Sequence, residues 1–100
     1  MTLKAAFIFL SPDAKHEKSV VATPSVELTV VATHNYDDAV DVACELADLG
    51  IKSIELCGGF GHAGTALIAN AVKGKATVGV VRFDIHPGLD GASGDNIFSK

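Results

Sequence analysis

The chain has 100 residues, of which 48% are apolar and 20% are charged, and its formal net charge is −4 at pH 7. That length suits one domain over residues 1–100 with a single modest core, and the scattered Lys and Arg residues form no basic patch for nucleic acid. No apolar run reaches membrane-spanning length, and two cysteines make no disulfide framework, so we expect a cytoplasmic protein with no membrane partner.

The first third of the chain reads as strand, helix and strand. Residues 4–10 are a continuous apolar run, which is typical of a strand covered on both faces. Ser11 and Pro12 then suit the N-cap and the first turn of a helix, which we predict over residues 11–23. Residues 25–33 alternate at first and then become apolar, which predicts a second strand.

The second helix has the clearest signals of the chain. Asn35 is a good N-cap, and Gly50 is a good residue to follow the C-terminus. Between them, apolar residues recur with helical spacing and form one face of the helix. Leu46 belongs to this face, and we expect it to be fully buried against the sheet.

The rest of the chain continues the alternation of strands and helices. Residues 51–57 and 76–83 are predicted strands, and residues 65–72 form a predicted helix between them. The last stretch, 87–100, reads as a loop or tail. We expect it to fold back over the domain, because Phe98 would otherwise be exposed.

The order β-α-β-α-β-α-β predicts a three-layer α/β fold with a mainly parallel, four-stranded sheet. Parallel strands of such a sheet end at one edge, and open α/β sheets bind ligands at that edge. The sequence therefore indicates where a site lies before it indicates what the site binds.

A glycine-rich turn at that edge reads Gly58-Gly59-Phe60-Gly61-His62-Ala63-Gly64. It contains G-x-G-x-x-G, and Asp84 follows on the next strand, as in a dinucleotide site, but a second mononucleotide-binding half is missing. Two other interpretations are that the N–H groups at the start of the helix bind some other anion, and that the glycines only allow a tight turn and close packing. We expect an anion, with the N–H of Gly61 free to meet it.

The candidate functional residues share this edge. Those for ligand binding are Gly58, Gly59, Gly61, Gly64, His34 and Arg82. The candidate catalytic residues are two histidines for general acid–base chemistry, an acid to orient them and a thiol beside a helix start: His62, His86, Asp84 and Cys57. The spacing of the histidines matches no compact ligand motif, so we predict no metal site, and no cofactor can be identified.

The third predicted strand carries a carboxylate near its middle. Glu55 is flanked by apolar residues in the third strand, and a carboxylate there needs solvent or a partner. Arg82 in the fourth strand is the candidate partner across the sheet.

Three stretches are distinctive: Ala5 to Leu10, the run Glu55-Leu56-Cys57-Gly58-Gly59-Phe60-Gly61, and the run Val81-Arg82-Phe83-Asp84-Ile85-His86-Pro87-Gly88-Leu89 with Ser93-Gly94-Asp95 after it. In these stretches the chain resembles a bacterial family of proteins of roughly 100 residues that is classed as a domain of unknown function. The resemblance implies a standalone domain, and it implies no activity and no catalytic residues.

We therefore predict a protein that binds a small anionic metabolite at the glycine-rich turn, and the sequence leaves open whether it also turns that metabolite over. The alternative is a non-catalytic interaction or scaffold protein, oligomeric, whose glycine-rich turn packs at a subunit interface. Alanine and valine dominate the apolar residues, so the core buries little area per residue, and this favours a homo-oligomer. The sequence identifies neither the ligand nor a reaction.

Overall fold

A computed structural model describes residues 1–99 as one five-stranded sheet with helices, in the strand order β2-β3-β1-β4-β5. The strands are β1 (Leu3–Leu10), β2 (Lys18–Ala22), β3 (Val26–Thr33), β4 (Ser53–Leu56) and β5 (Thr77–Val80). The helices are α1 (Tyr36–Asp48), α2 (His62–Ala71) and the short α3 (Gly94–Ile97), with a 3₁₀ turn at Pro87–Leu89. β1, β3, β4 and β5 run parallel, and β2 pairs antiparallel with β3.

The predicted class, an α/β fold with a mainly parallel sheet, is confirmed, but the sheet has five strands and not four. The fifth is β2, which lies where we predicted a helix over residues 11–23. The hydroxyl of Ser11 donates to the carboxylate of Asp13 at 2.6 Å, and the N–H of Ala14 donates to the Ser11 carbonyl, so a turn forms there instead. The apolar residues of β2, which are Val20, Val21 and Ala22, are consecutive and not spaced along one helical face. Val20 and Val21 also favour a strand.

Two boundaries also differ from the prediction. α2 begins at His62, directly after the glycines, and not at residue 65. β5 ends at Val80, so residues 81–86, predicted in part as strand, leave the sheet. The loop that they form becomes one wall of the site described below.

The start and end of α1 follow the prediction closely. The side chain of Asn35 accepts the N–H of Asp38 at 2.8 Å, and Gly50 follows the helix with a φ of +96°, where glycine costs no strain. The N–H of Ile51 returns to the carbonyl of Leu46, which completes a Schellman motif. Leu46 itself is buried, as predicted.

The core lies on one face of the sheet. Alternate residues of the strands, such as Ile8, Ile54 and Leu56, join the apolar sides of α1 and α2 in one buried cluster. The two helices also pack against each other. The residues that point the other way belong to what we call the open face of the sheet, and none of them is part of this cluster.

Candidate functional site

A cleft of about 540 Å³ opens at the carboxyl ends of β4 and β5. Its walls are the β4–α2 turn, the loop that follows β5, and residues 91–94 of the C-terminal segment. Six of the ten predicted site residues line it: Gly58, Gly61, His62, Arg82, Asp84 and His86. The predicted edge of the sheet therefore brings these residues together, whether or not they carry the function assigned to them.

The other four predicted residues do not line the cleft. Cys57 is half-buried against the core, and its Sγ accepts the N–H of Gly59 at 3.4 Å. Gly64 is the third residue of α2 and lies beneath the ring of Tyr36. His34 belongs to a separate cluster around Asp38.

The start of α2 is already occupied by a carboxylate of the same chain. Asp95 accepts the N–H groups of Ala63 and Gly64, each at 3.0 Å, one on each of its oxygens. The hydroxyl of Tyr36 donates to Asp95 at 2.8 Å and accepts the N–H of Gly61 at 3.0 Å. The expectation that the Gly61 N–H is free is therefore wrong, because Tyr36 takes it.

These contacts also set two pKa values. Burial alone would raise the pKa of Asp95, but the hydrogen bonds from Ala63, Tyr36 and Gly64 outweigh it and hold that pKa below its usual range. Burial, reinforced by the neighbouring carboxylate, raises the pKa of Tyr36 above its usual value. Asp95 is therefore ionised at neutral pH and neutralises the positive end of the α2 dipole.

The glycines of the turn allow this arrangement by giving room rather than by adopting unusual backbone angles. A Cβ on Gly61 would lie 2.5 Å from the carboxylate carbon of Asp95 and 2.6 Å from the hydroxyl of Ser93. A Cβ on Gly64 would overlap the Tyr36 ring, and one on Gly94 would overlap the carbonyl of Gly59. None of the three has a positive φ. Of the interpretations of G-x-G-x-x-G, close packing is the one that these contacts support.

The C-terminal segment folds back over the domain, as the sequence predicted. Phe98 is buried, and its carbonyl accepts the N–H of Tyr36 at 3.0 Å. The ring of Tyr36 stacks on Phe60 with centroids 5.4 Å apart, and Phe98 packs beside it at 6.5 Å. The segment thus fixes Tyr36 and Asp95 together, and both hold the glycine-rich turn.

The loop after β5 supplies the polar side chains of the cleft. Nε of Arg82 donates to Asp84 at 2.9 Å, and both side chains are largely exposed. The predicted pair of Arg82 with Glu55 does not form, because Arg82 lies beyond the end of β5 at Val80. The ring of His86 packs against Phe83 at 4.4 Å, and its Nδ1 accepts the N–H of Gly88 at 3.0 Å. A neutral His86 therefore carries its proton on Nε2.

A second polar cluster lies at the start of α1. The buried carboxylate of Asp38 is 2.5 Å from Nε2 of His16 and 2.9 Å from Nδ1 of His34, and it also accepts the N–H of His34. Burial would raise the pKa of Asp38, but the hydrogen bonds from His34 and His16 lower it overall, and Asp38 in turn raises the pKa of His16. His16 lies in a charged run of the sequence, and its partner Asp38 follows 22 residues later.

No three His, Cys, Asp or Glu side chains within residues 1–99 are grouped in a way that could hold a metal ion. In the same range, no helix is long and apolar enough to cross a membrane.

Comparison with protein families identifies the chain. It belongs to the family of unknown function DUF6506, whose model matches residues 3–96. This confirms the resemblance found in the sequence, and the family description assigns no activity. Searches of curated proteins and of solved structures found no significant match.

Proposed function

We propose that this protein binds a small organic anion in the cleft at the carboxyl ends of β4 and β5. The observation that carries the proposal is the side chain of Arg82. Its Nε is taken by Asp84, while its two terminal amino groups have no acceptor among residues 1–99. A planar guanidinium with free donors is suited to a carboxylate or phosphate group.

The other lining side chains support the same ligand chemistry. His62 and His86 add two ring donors, and Asp84 is the single acidic side chain that lines the cleft. Val80, Val81 and Phe83 line it as well, and each is at least two-fifths exposed. A ligand with an anionic group and an apolar body would therefore satisfy both kinds of surface.

The anion would bind beside the start of α2 and not on its N–H groups. Asp95 fills that position, and displacing it would leave the Tyr36 hydroxyl and two N–H groups to find a new acceptor. The proposal therefore keeps four of the predicted site residues, Arg82, His62, His86 and Asp84. It gives Gly64 no contact with the ligand.

Turnover of the ligand would rest on the two histidines. Histidine is the most common general acid and base in enzymes, and both His62 and His86 line the cleft together with Asp84. Cys57 does not line the cleft, and the proposal gives it no role.

The alternative, a scaffold whose glycine-rich turn packs at a subunit interface, has no specific observation in its favour. The neighbours that require glycine at positions 58, 61 and 64 are side chains of the same chain.

The test is isothermal titration calorimetry of the protein with phenyl phosphate and, separately, with inorganic phosphate. We expect saturable binding of phenyl phosphate, tighter than inorganic phosphate because of the apolar lining. Arg82→Gln should weaken it at least about tenfold, the value of a charge-assisted hydrogen bond.

Lys73→Gln is the matched control, because Lys73 is an exposed cation that does not line the cleft. It should leave the affinity unchanged. No saturable binding of either probe, or equal losses in the two variants, would refute the proposal.

A further inference from the structure

The open face of the sheet is apolar at its centre. Alternate residues of β1 and β3 point away from the helices and pair across the sheet, Phe7 with Val30 and Ala5 with Leu28. Phe7, Phe9, Leu28 and Val30 are only half-buried, and none of them belongs to the core cluster. At the margin, Leu3 is 45% exposed and Val21 is 62% exposed.

The sequence of β1 indicates that this face is covered in the working protein. Residues 5–10 are apolar without alternation, a pattern that belongs to strands buried on both faces. Ala6 and Ile8 are buried under the helices, and they account for one face only. An uncovered sheet would instead place polar side chains at positions 7, 9, 28 and 30.

The dimensions suit a partner of modest size. β1 and β3 have eight residues each, so they are about 26 Å long, and five strands span about 24 Å. β2, β4 and β5 are only five, four and four residues long, so the open face offers at most roughly 450 Å² per copy. Doubled, this is about 900 Å², which is the size of a weak or transient interface.

We propose that the open face is the interface of a homodimer, in which two copies pack sheet against sheet. A flat apolar surface needs a flat apolar partner, and a second copy supplies one through a self-complementary interface. Among the strand residues of this face, Glu55 is the only charged one. It lies on β4 beside Phe7 of β1 and is exposed. It therefore limits the interface on that side, because a partner centred over β1 and β3 must leave the Glu55 carboxylate hydrated.

The interface is independent of the ligand proposed above. The cleft opens at the carboxyl ends of the strands, whereas the interface covers the open face of the sheet. One proposal can fail while the other holds, since the first is measured by titration and the second by molecular mass.

The test is analytical ultracentrifugation of the full chain over a concentration series from 1 to 500 μM, read against two variants of the edge strand. Val20 and Val21 are adjacent in β2 and both exposed, at 53% and 62%. Val21 pairs with Leu28 on the open face, whereas Val20 pairs with Thr29 on the face of the helices. The same substitution to lysine at each position therefore differs only in the face to which it points.

We expect the wild type to dimerise within this series, and Val20→Lys to dimerise equally. Val21→Lys should weaken the dimer several-fold, and Val30→Lys, at the centre, should abolish it in the series. Circular dichroism should show all variants folded. If Val30→Lys fails to fold, the Val20 and Val21 pair still decides the matter.

A wild type that stays monomeric at 500 μM would overturn the proposal, as would equal dimerisation of Val20→Lys and Val21→Lys. A monomer that binds phosphatidylcholine vesicles through this face would also overturn it, and would assign the face to a lipid surface.

Discussion

The two long helices begin in different ways. α1 is capped by Asn35, three residues before the N–H that it accepts. α2 is capped by Asp95, whose partners Ala63 and Gly64 lie 32 and 31 residues earlier. Both devices satisfy backbone donors that the helix cannot satisfy itself. The difference shows that a helix start without a local capping residue is not thereby a vacant anion site, because the chain can supply the anion from elsewhere.

The comparison between the two helix starts is most sharply tested at Gly94. At this residue the C-terminal segment contacts the glycine-rich turn. Gly94→Ala would put a Cβ onto the carbonyl of Gly59, and a backbone atom cannot rotate away. We expect a loss of about 3 kcal/mol in the free energy of unfolding, measured by urea denaturation. Gly91→Ala, three residues earlier, has no such neighbour but a φ of +78°, so it should cost less, about 1 kcal/mol. Equal losses would show that the close approach does not matter.

The next largest effect on stability compares the cap of α2, which Asp95 supplies, with the cap of α1, which Asn35 supplies. Asp95→Ala removes the acceptor of two N–H groups and of the Tyr36 hydroxyl, and we expect it to cost about 2 kcal/mol, given that Asp95 is partly hydrated. Asn35→Ala removes the acceptor of the Asp38 N–H and should cost about 1 kcal/mol. The two variants are compared by urea denaturation at pH 7. A larger loss for Asn35→Ala would contradict the view that Asp95 holds the α2 start.

Low pH should reduce the contribution of Asp95 to the free energy of unfolding. Its pKa is lowered in the folded state, so the stabilisation is complete above the unfolded value of about 3.9 and is lost as the pH falls through the lower, folded value. The difference in unfolding free energy between wild type and Asp95→Asn should therefore be smaller at pH 2 than at pH 7. A difference that does not change with pH would mean that the charge of Asp95 has no part in the cap.

The smallest effect concerns the start of α1, where Asp38 holds His16. The pKa of His16 is raised by its hydrogen bond to Asp38. An NMR titration should therefore place it above the ordinary value of about 6.5. In Asp38→Asn it should return to that value. Any stabilisation from this pair is present at low pH and is lost as the pH rises through the raised pKa. An unchanged His16 titration in Asp38→Asn would remove this contact from the description.

The features that the sequence predicted correctly are those specified by neighbouring residues. Asn35 and Gly50 define the ends of α1 within three residues of their partners, and the apolar runs define β1, β3 and β4. The predicted helix over residues 11–23 was wrong because β2 is stabilised by its pairing with β3 and not by its own pattern. Local signals at Ser11 suit a turn as well as a helix start.

The position of the site was also predicted correctly, and the reason is the topology of the sheet. The topology brings six of the predicted residues to one cleft, because parallel strands end together. Tyr36 and Asp95 were missed because their roles depend on contacts 25 to 59 residues apart. A glycine that gives room for a distant side chain looks the same in the sequence as a glycine that gives room for a ligand.

The most direct test of this account is a phosphate titration followed residue by residue with ¹⁵N NMR, in the wild type and in Asp95→Ala. We expect the amides of Ala63 and Gly64 to stay unshifted by phosphate in the wild type, since Asp95 occupies them, while signals of Arg82 shift. In Asp95→Ala, phosphate should enter the vacated position, and the two amides should shift and saturate. Saturable shifts of Ala63 and Gly64 in the wild type would contradict the claim that the chain fills the start of α2 with its own carboxylate.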